Sequence, residues 1–237
     1  MLQNLFQAIK IMMIGHLQLC QIKLNYKMIV SQNEVYQIVK KSCISEKIYE
    51  DWADDIGKAI AFLHKNNIDG CNEFVKLISV LRLDRNLAIK KEKNQLIIKN
   101  LDPIRNAIPI IDWLISGNNK TTIISNQIIS PLIFFSLLAN TCKNYGGTFN
   151  ISNKKEQILY KIDVNFKFFK INKLKGFFII KWYKSNKFLK TIKIKKRVHG
   201  VTIKNWEYLE LKANKTYVPE TIISRNSGAG AGLLDND

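Results

Sequence analysis

From residue 31 to about residue 82, apolar side chains recur at intervals of three and four, the spacing that lines one face of a helix. Val35, Ile38 and Val39 share a face of a first helix; Tyr49, Trp52, Ile56, Ala59, Ile60 and Leu63 share one of a second. Ser31-Gln32-Asn33-Glu34 has the S-x-x-E form of a capping box, with Ser31 accepting from a first-turn amide and Glu34 reaching back. Asp51, Asp54 and Asp55 fall early in the second helix and Lys65 near its end, as the helix macrodipole favours. Asn66-Asn67 reads as a stop followed by Gly70, and Asn72 is the expected cap of a third helix carrying Phe74, Leu77, Ile78 and Leu81. Three helices with short joins predict a small bundle.

Beyond residue 90 the period changes. A Lys-rich turn (Lys90, Lys91, Lys93) leads to a short strand over Gln95–Ile98. Ile108–Leu114 is apolar but holds Pro109, which leaves helix and strand both open. Thr121–Ser125 is β-branched and predicts a strand. Ser130-Pro131 has the form of an N-cap and N1 proline opening a helix to Tyr145. Phe134, Phe135, Leu137, Leu138 and Cys142 cover most of its circumference, so it should be buried. Gly146-Gly147 ends it, and a strand begins at Thr148. Gln157–Val164, Phe177–Tyr183 and Phe188–Ile194 are strand-like runs that alternate in part with Lys. Thr202 is placed to cap a last helix over Ile203–Ala213.

The pattern predicts an α+β fold: an N-terminal helical bundle packed on a mixed α/β domain with a largely antiparallel sheet. The expected divisions are an extension over 1–27 outside the fold, a helical subdomain over 28–90, an α/β subdomain over 91–215, and a Gly-rich C-terminal motif over 216–237. Lys10 and His16 interrupt the apolar pieces of the first 27 residues, so no run approaches the roughly 20 residues that span a bilayer. Nor do they have the form of a secretory signal. Met28, three residues before the capping box, is the expected translation start, and a cytoplasmic location follows from the same reading.

Charge sharpens the picture less than its size suggests. The 237 residues carry a net charge of +18, but the arginines number five: Arg82, Arg85, Arg105, Arg197 and Arg225. Readers of phosphate geometry favour the planar guanidinium fork, so a solvated Lys-rich surface outweighs nucleic-acid binding. The run Phe166 to Lys170 interleaves aromatics with Lys, as a stacking platform for single strands would. A strand with an apolar inner face gives the same letters, and that reading is preferred. Cys20, Cys43, Cys71 and Cys142 form no C-x-x-C pair, and His16, His64 and His199 are scattered. No metal site is expected, and no cofactor is indicated.

The last segment changes character. After Lys215 lysine disappears, Arg225 enters, and Gly228, Gly230 and Gly232 alternate with Ala. It is not a dinucleotide fingerprint, because too few residues follow Gly232 to form the required helix. Glycine amides at positive φ are able to converge on an anion. Arg225 would add a bidentate contact, with Ser224 and Tyr217 as hydrogen-bond donors. Asp235, Asp237 and the terminal carboxylate could hold a hard cation or pair with the protein's own lysines; the pairing is preferred. A tail that docks against a neighbouring subunit is the competing account of the whole segment.

Three pieces together resemble a bacterial domain-of-unknown-function family. They are S-x-N-E-V at Ser31–Val35, A-x-D-x-G-x-A-x-x-x-L at Ala53–Leu63, and T-Y-V-P-x-x-x-x-S-R-x-x-G-A-G-A-G-L-x-D-N-D at Thr216–Asp237. The helix opened by Ser130-Pro131-Leu132 is similar to that family's P-L-L-x-x-F-L segment. The resemblance supports the domain boundaries and implies no reaction, cofactor or catalytic residue. The expected function is therefore a small-molecule domain or enzyme that takes an anionic metabolite. Its site would use Asn33, Tyr217, Ser224, Arg225 and Gly228, Gly230 and Gly232, with Glu34 or Asp235 as acid/base candidates. An accessory or assembly role, with homo-oligomers docked through the tail, is the alternative.

Overall fold

The computed structural model describes residues 26–79, 89–117, 119–166, 175–185 and 200–216. The fold is α+β: helices on the N-terminal side pack against a mostly antiparallel sheet. Helix α1 (Gln32–Ser45) opens on the expected capping box, with both reciprocal bonds made. Helix α2 (Glu50–Lys65) folds back beside it, and His64 Nε2 at its end lies 3.0 Å from Val30 O at the start of α1. The two helices are thus antiparallel. Helix α3 (Gly70–Ser79) begins earlier than Asn72. Asp69 Oδ1 caps it by accepting from Asn72 N at 2.9 Å, so Asn72 is the capped residue rather than the cap.

The main sheet has the order β2-β3-β4-β7-β5-β6, using β2 (Ile89–Glu92), β3 (Gln95–Ile98), β4 (Thr122–Gln127), β5 (Thr148–Ser152), β6 (Ile158–Ile162) and β7 (Lys175–Tyr183). Only β3 and β4 run parallel within it. Their crossover carries α4 (Ala107–Ser116), which resolves the open assignment around Pro109. Pro109 is the third residue of that helix, where its missing N–H would have had no intrahelical acceptor. The Lys-rich turn is part of a hairpin: Lys90 and Lys91 belong to β2, and Lys93 turns the chain at φ 47°.

Helix α5 (Pro131–Tyr145) is buried as its pattern requires; Phe134, Phe135 and Leu138 are inaccessible. Each such side chain contributes about 2 kcal/mol through area removed from water. Ser130 precedes it but does not cap it: the residue sits at φ 46° and its side chain bonds no first-turn amide. At the other end Gly147 has φ 78°, and a Cβ there would fall 2.5 Å from Tyr183 O, so the turn into β5 requires glycine. α5 packs on β5 and β6 with one flank and on α2 with another, where Ser136 Oγ donates to Ala59 O at 2.6 Å.

A second, two-stranded ladder pairs β1 (Lys27–Ile29) with β8 (Gly200–Thr202) and reaches upstream of Met28: Lys27 pairs with Thr202, and Ile203 N donates to Tyr26 O. Helix α6 (Ile203–Ala213) starts after Thr202, whose side chain makes no cap bond. It packs on α1 and α3, with Ser42 Oγ donating to Leu209 O at 3.1 Å, so it joins the helical layer. The expected strand over Phe188–Ile194 lies outside the described residues. Among those described, no helix is long and apolar enough to cross a membrane.

Candidate functional site

The consecutive helices α1 and α2 and the sequence-distant α5 flank an open cleft of about 680 Å³. On α2 the lining positions are Asp55, Lys58, Ala61, Phe62 and Lys65, whose spacing makes one stripe along the helix. The first turn of α1 brings Gln32, Asn33 and Tyr36. The last turns of α5 bring Ala139, Asn140, Lys143 and Asn144, and Val164 after β6 closes the end.

Its charges are unevenly matched. Lys58 is drawn to Asp54, 2.5 Å away on the outer side of α2. Lys65 and Lys143 have no carboxylate within ion-pair distance among the described residues. At the start of α1 the capping box takes up the Ser31 and Glu34 amides, which leaves those of Gln32 and Asn33 without an intrahelical acceptor.

Tyr36 forms the rim between the cleft and the outer face. Its hydroxyl donates to Asp54 Oδ1, which raises the phenol's pKa, as does its partial burial. Gly57 lets the ring lie flat on α2: a Cβ there would be 3.0 Å from Tyr36 Cδ2 and 3.1 Å from Tyr36 O. Lys40 approaches the same carboxylate at 3.5 Å and Glu50 at 3.2 Å. Burial pushes the Asp54 carboxyl up. The hydrogen bonds from Lys58 and Tyr36, with the charges of both lysines, outweigh this and hold it below its usual value.

Asp55, the next residue, faces a different side of α2. It lies on the floor of the cleft, where a recess of about 90 Å³ opens toward α4. Asp112 of α4, Asn140, Thr141, Asn144 and Tyr145 line that recess together with apolar Ile108, Ile111 and Leu137. Burial pushes the Asp55 carboxyl up; Lys58 opposes this, while Asp54, Asp112 and Asp51 add to it. Asp112 is exposed to solvent, and partial desolvation of its carboxyl pushes it up as well. Asn140 Nδ2 is buried without a hydrogen-bond partner at the junction of the two spaces.

Of the residues expected from sequence to form a site, Asn33 lines the cleft and Glu34 does not. Glu34 Oε2 accepts from Ser31 N at 2.6 Å, and the bonds to the Ser31 backbone and then its side chain hold the carboxyl below its usual value. It serves as a cap. Tyr217, Ser224, Arg225, Gly228, Gly230, Gly232 and Asp235 lie outside the described residues. So does most of the aromatic-basic run; its first member, Phe166, packs edge-on against Phe135 at 5.8 Å between ring centroids. Sequence reading missed Lys58, Lys65, Asn140 and Lys143 as partners. The signal available was the polar set Asn140, Lys143 and Asn144 at helical spacing within an otherwise apolar helix.

The other reactive groups are quiet. Cys43, Cys71 and Cys142 are buried free thiols. Burial pushes all three up, Cys71 and Cys142 to about 12, which leaves them protonated at neutral pH. Among the described residues no group of three or more His, Cys, Asp or Glu side chains is placed to hold a metal ion.

The site is thus a polar, lysine-bearing cleft in a helical layer laid on a mixed sheet. No family model matches the chain, and no curated protein matches it. Among solved structures, a malate dehydrogenase from Entamoeba histolytica aligns with a TM-score of 0.42 and 10% identity. The alignment covers 53% of this chain and spans 38% of that one, and at this level the likeness carries no argument about activity.

Proposed function

We propose that the cleft between α1, α2 and α5 binds a small anionic metabolite. The observation that carries this reading is the convergence of Lys65 and Lys143, from two helices and without acid partners among the described residues, on one space of about 680 Å³. That volume lies in the range of small-molecule sites. Asn33 and the Gln32 and Asn33 amides of α1, which the capping box does not use, add uncharged donors suited to a carboxylate or phosphate oxygen. The C-terminal motif is proposed to contribute a second set of donors, Arg225 and the amides of Gly228 to Gly232, when ligand is bound.

A thermal-shift panel of carboxylates and phosphates on the full chain tests the reading, since a ligand that binds only the folded state raises its stability. The gain is about 2.7 kcal/mol at a hundredfold excess over Kd. Wild type should respond to a subset of the panel, and the Lys65→Gln/Lys143→Gln double variant should lose more than half of the shift. A full shift in the double variant, or no response in wild type, contradicts the proposal. Removing residues 217–237 separates the two parts: a weakened shift supports the motif's contribution. An altered oligomeric state with an unchanged shift assigns the motif to docking instead.

A further inference from the structure

We infer that the acid taken by the cleft carries an aromatic ring about one helical turn from its acid group, and that the ring lies against Phe62 and Tyr36. The inference rests on the anion reading above and names the class of molecule that fits the same site.

Two walls of the cleft repeat one order of residues. On α1 the polar Asn33 is followed by Tyr36, and on α2 Lys65 is preceded by Phe62; all four line the cleft. Residues at this spacing are neighbours on one helix face, about 4.5 Å apart along the axis. Because α1 and α2 run antiparallel, with His64 beside Val30 and Tyr36 over Gly57, both orders run in the same direction. From one end of the cleft come Lys65 and the free amides of Gln32 and Asn33, then Phe62 and Ala61, then Tyr36. An acid group held at that end places whatever is joined to it through about one or two carbons against the aromatic side chains.

Tyr36 is held ready for a partner. Its hydroxyl donates to Asp54, which Lys58 and Lys40 hold in turn, so the ring is tied at its far end. Its near edge is seated on Gly57, where a Cβ would come within 3.0 Å of it. A ring fixed in this way loses little freedom when a ligand packs on it. Ala61 and Ala139, both buried, line the cleft from α2 and α5 and leave room beside the two aromatic side chains. Lys143 adds positive charge from the α5 wall. Aromatic rings attract one another through their quadrupoles beyond the area they bury, which a saturated ring of similar size does not reproduce.

Calorimetric titration of the full chain with matched acids tests the inference: benzoate and cyclohexanecarboxylate, phenylacetate and cyclohexylacetate, phenyl phosphate and cyclohexyl phosphate. Both members of a pair carry the same acid group, so the anion reading requires only that an acid binds, and the ring preference is read from the ratio within a pair. The aromatic member of the best-binding pair should bind about fivefold more tightly than the saturated one. Tyr36→Leu should bring that ratio below about twofold, whereas Tyr36→Phe, which keeps the ring, should hold it above about threefold. Should Tyr36→Leu fail to fold, nuclear Overhauser contacts in the wild-type complex, between the ring protons of the bound acid and those of Tyr36, give the reading instead. Equal binding of both members, a preference that persists in folded Tyr36→Leu, or a complex without those contacts overturns the ring assignment and leaves the anion reading standing. If no acid of either kind binds, the anion reading fails and this inference fails with it.

Discussion

Asp54 and Asp55 stand side by side on α2, yet the two faces they serve are finished differently. On the outer face Asp54 is met by Tyr36, Lys58 and Lys40, and its charge is neutralised within the protein. On the inner face Asp55 meets a second carboxylate across a recess, an amide with a free donor, and no ion-pair partner among the described residues. A completed network of this kind holds the helices in place. An uncompleted one costs stability in proportion to its desolvation, a modest amount here because Asp55 is half-buried and Asp112 exposed, and such groups concentrate where ligands bind. The difference between adjacent residues therefore separates scaffold from site more sharply than overall charge does.

The largest effect expected is on the wall common to both faces. Phe135 is fully buried, with Tyr160 at 5.1 Å and Phe166 at 5.8 Å between ring centroids. Phe135→Ala should cost about 3–5 kcal/mol in denaturant unfolding and abolish ligand response, because α5 carries Asn140 and Lys143. Asp54→Asn removes the negative charge of the outer network and one of its two acceptor oxygens, and should cost about 1 kcal/mol at neutral pH, given its partial exposure. The Asp54 carboxyl is depressed in the fold, so its contribution is present above the unfolded value near 3.9 and is lost as pH falls through the folded one. The penalty of the variant should therefore fade in acid.

Tyr36→Phe removes one donor from the same carboxylate and should cost about 0.5–1 kcal/mol in unfolding measurements. Asp55→Asn should have the smallest effect and the opposite sign. Its carboxyl is raised in the fold, so its contribution is full below the unfolded value and is lost as pH rises through the folded one. At neutral pH the asparagine variant should gain a few tenths of a kcal/mol in the absence of ligand. The gain should vanish toward pH 3. A loss of stability at neutral pH would mean that a cation already pairs with Asp55.

Much of the scaffold was legible because its signals are local. The capping box at Ser31 and Glu34, the apolar circumference of α5 and the glycine pair before β5 each depend on neighbours within a few residues. Pro109 left α4 open because a proline in the first turn and one in the interior look alike in sequence until the helix start is fixed. Ser130 has the letters of a cap, but its left-handed backbone turns the side chain away from that task. The site was less legible for a different reason. Its lining comes from residues 32–36, 55–65 and 139–144, and the packing of both α1 and α5 on α2 brings them together. Sequence reading assigned Asp54 and Asp55 the same role at the helix start, although about 100° of helical rotation directs them into different surroundings.

The contrast between these two residues is measured most directly by site-resolved carboxyl ¹³C NMR titration of the full chain. The account predicts that Asp54 titrates below the free aspartate value of about 3.9 and Asp55 above it. An Asp55 that titrates at or below the free value without ligand would contradict the account, because its charge would then already be neutralised.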